Sequence, residues 1–236
     1  MLYETDVEKC KRKEMGIVLK RRDNAPIVKD VYGGIIDILM KKQNIEEAIE
    51  FLRTSLRNII DKKYPITKFI ISKSLRSGYK NPQQVAHKVL ADRITQREPG
   101  NKPQSGDRIP YVYIHNYNKT ALQGEKIETP QFIQDRNLKI DYSHYITNQI
   151  MNPVQQVFAL VLEKIWMKQN KKAKINSFHK ECVKLRKEIE DDEKYQLKIE
   201  ALKNKEIKIL LFDESLRETN NSRDNNNMLT QYFVSK

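Results

Sequence analysis

The segment GIVLKRRDNAPIV, residues 16–28, sets three consecutive cations, Lys20, Arg21 and Arg22, between an apolar run and the turn-forming Asp23, Asn24 and Pro26. Neighbouring guanidinium and ammonium groups at a chain reversal can hold phosphates, because arginine offers a planar fork of donors and lysine a mobile point charge. A solvated basic turn would carry the same pattern, and the spacing alone leaves both readings open. Asp23 and Asn24 suit fixing the turn and capping a helix that starts near Pro26, since their side chains accept backbone N–H groups. Other chemistry-bearing residues are sparse. His179 and Cys182 stand three apart in FHKEC, but two ligands do not complete a zinc site. His87, His115 and His144 have no nucleophile or acid nearby in sequence and read as structural.

The elements that must position these groups follow from patterning. Ile27, Val31, Ile35 and Leu39 recur at four-residue spacing after Pro26, so the spacing predicts a helix with one apolar face. Gly33 and Gly34 interrupt it at about 1 kcal/mol each, which points to close helix packing. A second helix reads from Asn44 as cap, with Glu47 placed for a capping box and Ile45, Ile49, Leu52, Leu56 and Ile59 on one face, until Tyr64-Pro65. Residues 67–75 read as extended. Asn81-Pro82 opens another helix, with Val85, Val89 and Leu90 inward. Residues 98–107 are rich in turn formers, with Asp107 tying the start of a strand at 108–114 in which Tyr111 and Tyr113 are half-buried. Asp141 caps a last long helix that Pro153 should kink or divide. After about residue 167 the chain is rich in Lys and Glu and reads as a charged helix or helical pair, serving as an extension or as a spacer. Residues 217–227 form a polar, Asn-rich linker of a composition that does not fold alone.

Composition narrows the class. The 236 residues allow a sizeable core, and a formal charge of +13 exceeds what a solvated surface requires. Nucleic acid is the common partner for such an excess. No apolar run approaches the roughly 18 residues of a membrane span. Cys10 and Cys182 form no Cys-x-x-Cys pair and fit a reducing, intracellular setting, nuclear or cytosolic.

The ordered series GIVLKRRDNAP, ITKFIISKSL, HKVLADRITQREPG, SGDRIPYVYI and IDYSHYITNQIMNPVQQVF resembles the C-terminal part of a family B DNA polymerase, the last edge of the palm plus the thumb. The RRDN form is similar to the polymerase delta group and to large-DNA-virus enzymes. The likeness covers roughly residues 3–166. It implies a mainly α fold with a few short β strands: palm-edge strands and a primer-grip turn over 1–24 and a thumb over 25–166, to which composition adds a Lys/Glu-rich helical extension over 167–216 and a flexible tail over 217–236. In such a thumb Lys20, Arg21 and Arg22 would meet primer phosphates, and Lys68, Lys73, Arg76, Arg93, Arg97 and Arg108 would border the new duplex without reading its sequence. For any one of the latter six, a plain surface charge is the competing reading.

The departures are equally specific. No Tyr-Gly-Asp-Thr-Asp-like segment is present, so the palm aspartates that hold two metal ions for phosphoryl transfer are missing, as are the nucleotide-binding helix and the exonuclease acids. The chain is expected to be a polymerase cut after its palm motifs, not catalytic alone, with no cofactor of its own; the complete nucleotidyltransferase would use Mg2+. Its expected partners are primer–template DNA, the remaining palm, fingers and exonuclease segments, and a sliding clamp, in a virus-infected cell for the viral type. The clamp expectation rests on Asn226, Leu229, Tyr232 and Phe233, which resemble a clamp-binding box with asparagine in place of the usual glutamine. The rival reading is a stand-alone basic DNA-binding or regulatory protein derived from such a thumb.

Overall fold

The computed structural model describes residues 18–21, 23–118 and 120–219. Helix α1, Pro26–Asp37, begins with proline at its first position, and its cap residue Ala25 contributes no side-chain acceptor. The cap expected from Asp23 or Asn24 is therefore not made. The cap position falls to Ala25, whose methyl group cannot accept a hydrogen bond, and Asn24 instead donates its amide to the Val18 carbonyl at 3.2 Å, closing the turn. The apolar face is as expected: Ile27, Val31 and Ile35 are buried. A π-helical turn, Ile38–Lys42, then leads to α2, Ile45–Ile60.

Asn44 caps α2 by accepting the Glu47 N–H at 3.1 Å. The reciprocal half of the capping box is absent, because the Glu47 carboxylate pairs with Lys42 at 2.5 Å. All five predicted core positions of α2 are buried. The expected close approach occurs at Gly34, where an added Cβ would stand 2.4 Å from the Phe51 ring of α2.

Three antiparallel strands, β1 (Ile71–Ser74), β2 (Arg108–Tyr113) and β3 (Ile127–Glu128), form a sheet in that order. The register sets Ile71 against Tyr111, Ser74 against Arg108, and Val112 against Glu128. The extended reading of 67–75 holds only from Ile71, since Ile66–Phe69 winds into a 3-10 turn. Pro82 starts a 3-10 turn rather than the helix itself; Val85 is extended, and α3 runs Ala86–Arg97. A short helix without counterpart in the sequence reading, α4 (Pro130–Arg136), is capped by Thr129, which accepts the Phe132 N–H at 3.3 Å.

Asp141 caps α5, Tyr142–His144, by accepting the His144 N–H at 3.0 Å. The helix widens into a π turn, Tyr145–Ile150, before α6, Met151–Ala159. The irregularity expected from Pro153 thus lies just upstream of it, where the carbonyl of Gln149 would otherwise receive the N–H that proline lacks. Tyr145 is fully buried; its hydroxyl donates to the Phe69 carbonyl at 2.6 Å and accepts the Tyr113 N–H at 3.0 Å. Gln149 Oε1 accepts the Ala25 N–H at 3.3 Å, so this turn also braces the start of α1.

Helix α7, Leu162–Lys168, carries buried Trp166, whose ring meets Phe178 of α8 (Lys172–Glu188) edge-on at 5.5 Å. Helix α9, Asp192–Leu211, packs on α6 and α2, and buried Gln155 of α6 donates to the Asn204 carbonyl at 2.9 Å. The Lys/Glu-rich region is thus a helical pair joined to the body. One apolar core runs from Leu19 to Phe212.

Candidate nucleic-acid interface

Pairing of β1 with β2 brings together cations that lie far apart in sequence. Lys73, Arg76 and Arg108 line one hollow of about 460 Å³ with Asp23, Ser72, Ser74, Tyr79 and His87. The two arginines are set by local structure. Arg108 donates to the Ser72 and Ser74 hydroxyls at 3.1 and 3.3 Å and to the Ser72 carbonyl. Asp107 accepts the Gln104 N–H at 2.7 Å, and its own carbonyl accepts the Leu75 N–H at 2.7 Å, which fixes the entry to β2 against the end of β1. The Arg76 N–H is received by the Tyr79 hydroxyl at 2.8 Å, and that hydroxyl lies 3.0 Å from His87 Nε2. Gly78, at φ +75°, permits the tight reversal between them.

The hollow is electropositive. Among the described residues Lys73, Arg76 and Arg108 make no ion pair, and Asp23 is the one carboxylate in the lining. Burial, then the charges of Lys73 and Arg76, hold the His87 ring below its ordinary value. Lys20 and Arg21 are exposed beside Asp23, at the end of a 3-10 turn, Val18–Lys20, anchored by buried Leu19. Arg22 lies outside the described residues, as do Asn226, Leu229, Tyr232 and Phe233.

Three of the expected cations lie elsewhere. Lys68 pairs with Asp30 of α1 at 2.6 Å. Arg97 makes a forked bond to Glu128, 3.1 and 2.7 Å, with its guanidinium 3.7 Å over the Phe132 ring. Arg93 donates to the Ile127 carbonyl at 2.5 Å and stands 3.4 Å from Glu128. The hydrogen bond that Arg97 donates to Glu128 raises the Arg97 pKa, whereas burial lowers that of Arg93. Glu128, Tyr79 and His87 went unnoticed in the sequence as partners, because each pairing is made by a turn or a strand register that leaves no spacing signal.

Tyr111 is buried and Tyr113 half-buried, with the Tyr113 ring stacked on His144 at 3.5 Å. His179 pairs with Glu163 at 3.0 Å, and no group of three His, Cys, Asp or Glu able to hold a metal occurs among the described residues. Those residues do not fit a Mg2+ site. A larger concavity of about 520 Å³, lined by Ile60, Asn137 and Thr219 among others, gathers none of the cations expected to meet DNA.

A mostly helical body with a three-stranded sheet thus bears a hollow lined by three cations that make no ion pair among the described residues, with Asp23 as its one carboxylate. Residues 1–161 match the model of DNA polymerase family B. The chain belongs to that family. It is 50% identical over 235 residues to a DNA polymerase of Pyramimonas orientalis virus, covering 98% of this chain and 19% of the relative. It is 34% identical over 148 residues to the DNA polymerase delta catalytic subunit of Caenorhabditis elegans, covering 62% of this chain and 14% of the relative. The solved family B polymerase of the archaeon Pyrobaculum calidifontis aligns with a TM-score of 0.45 and 22% identity over 56% of this chain and 17% of that one. The chain thus spans a fifth or less of the length of these relatives.

Proposed function

We propose that this chain is the thumb portion of a family B DNA-directed DNA polymerase and holds primer–template duplex during replication, inside the cell. The observation that supports it best is the hollow: Lys73, Arg76 and Arg108 converge without ion-pair partners, in a chain of this family. Forked and point donors so placed receive phosphate oxygens and fix the duplex without discriminating bases. The exposed Lys20 and Arg21 extend the positive surface past Asp23 toward the primer strand. Nucleotide binding and Mg2+-dependent transfer belong to the complete enzyme, and this chain supplies duplex positioning.

Fluorescence anisotropy on primer–template duplex across a salt series tests this. Replacing Lys73, Arg76 and Arg108 together by alanine removes up to three phosphate contacts, so the log–log salt slope should flatten by up to about 2.7, at about 0.9 for each contact. An unchanged slope and affinity would refute the assignment. The tail segment Asn226 to Phe233 is proposed as a sliding-clamp contact on its sequence alone, where attachment to the DNA-holding body raises effective concentration. Equal binding of the cognate clamp by the parent and by a Tyr232→Ala, Phe233→Ala variant would remove it.

A further inference from the structure

We propose that Tyr79 and His87 belong to the phosphate-holding surface, and that His87 takes up a proton from solvent as a DNA phosphate enters the hollow. This rests on the duplex-holding role argued above. The Tyr79 hydroxyl accepts the Arg76 N–H at 2.8 Å and lies 3.0 Å from His87 Nε2, and both side chains line the hollow. A phenol has a single proton to donate. While the ring is neutral and Nε2 is the acceptor, that proton is given to His87. Once Nε2 is protonated the ring becomes the donor, the Tyr79 oxygen accepts, and the phenolic proton is released to face a phosphate oxygen.

The surroundings bias this exchange toward a ligand-driven step. Lys73 on β1 and Arg76 beyond it act on His87 and disfavour its charge, while the Ser74 backbone favours it. Arg108 from β2 and Asp23 from the first turn line the same space. On its own helix Lys88 is held by Asp92, and Arg93 and Arg97 are turned to Glu128. Glu125, from the 3-10 turn packed on α3, acts on Arg93. In the free chain, burial together with Lys73 and Arg76 disfavours the charged ring. A phosphate adds negative charge beside it and offsets part of the field of Lys73 and Arg76, which raises the ring's proton affinity. The ring's pKa is then higher in the complex than in the free chain, so affinity rises as pH falls through the interval between the two values.

Isothermal titration calorimetry with the full chain and a primer–template duplex lacking terminal phosphates, at about pH 6.5 in two buffers of different ionisation enthalpy, reads the protons taken up. The parent should take up a substantial fraction of one proton per chain bound, and His87→Gln should bind with that uptake abolished. For each unit by which DNA raises the ring's pKa, the parent should gain about tenfold in affinity on acidification that His87→Gln does not. Equal uptake by parent and variant overturns the proposal. An NMR titration of the His87 ring in the parent, with and without DNA, keeps the question decidable should the variant misfold: an unmoved pKa also overturns it. Duplex binding without proton uptake removes only the role of His87, whereas no duplex binding by the parent removes the duplex-holding role as well.

Discussion

Replacing Glu128 by glutamine keeps the side chain's size and deletes the charge that two arginines share. Glu128 accepts two bonds from Arg97, at 3.1 and 2.7 Å, has Arg93 at 3.4 Å, and receives the Thr129 N–H at 3.1 Å. Its side chain is 5% exposed. Removing one partner of a buried ion pair costs about 3–5 kcal/mol, because the other charge is left without compensation. Here the full range does not apply to both cations. Arg97 is 36% exposed and can rehydrate, so its share falls toward the ~1 kcal/mol of a surface pair. Arg93 is 25% exposed and its buried Nε has no partner, so it is left stranded. A net loss of about 2–3 kcal/mol is expected. Urea unfolding followed by far-UV circular dichroism measures it, with an unchanged denaturant slope as the sign of an intact native state. A loss below about 1 kcal/mol would show that the arginines do not depend on Glu128, and would return them to the list of free cations. As a companion test, Arg97→Gln should leave the salt slope of duplex binding where it was.

Two other outcomes follow from packing and titration. Gly124→Ala should destabilise by about 1–3 kcal/mol, since the new Cβ would stand 2.6 Å from the Val89 Cβ, an atom fixed to the backbone of α3; an undiminished thermal midpoint would refute that close approach. Burial pushes the Tyr111 and Tyr145 phenols far above their ordinary value of about 10. Their folded values are raised, so the stability they contribute is complete below about pH 10 and declines as pH rises beyond it. Absorbance at alkaline pH should therefore show those two ionising only as the chain unfolds, and titration of all 11 tyrosines with unchanged circular dichroism would contradict this.

The legible parts of the fold were those written in local chemistry. Helix α2 announced itself by a cap and a regular apolar face, and β2 by alternation, because both signals act within one or two turns of chain. Helix α4 was missed although Thr129-Pro130 is a cap followed by a first-position proline; at seven residues it has too little periodicity to register. The site was half visible. The resemblance named Lys73, Arg76 and Arg108 as candidates, yet nothing local distinguished them from Arg93 and Arg97. That distinction comes from the register opposing Ser74 to Arg108 and from the placement of Glu128 beside α3, both long-range consequences of strand pairing. The cap expected from Asp23 or Asn24 is not made because the helix starts at Pro26, which puts Ala25, with no acceptor, at the cap position.

The π turn at Tyr145–Ile150 works as a phase joint between two helical stretches. An α-helix advances by about 100° for each residue, so the number of residues in the turn sets which side of α6 faces the core. Shortening it by a single residue would swing Val154 and Phe158 away from the interior while leaving every side chain chemically unchanged. The same joint holds the Ala25 N–H through Gln149. The angular setting of a helix in the middle of the body and the anchorage of the basic turn at its edge are thus governed by one length, which tolerates substitution far better than it would tolerate a deletion.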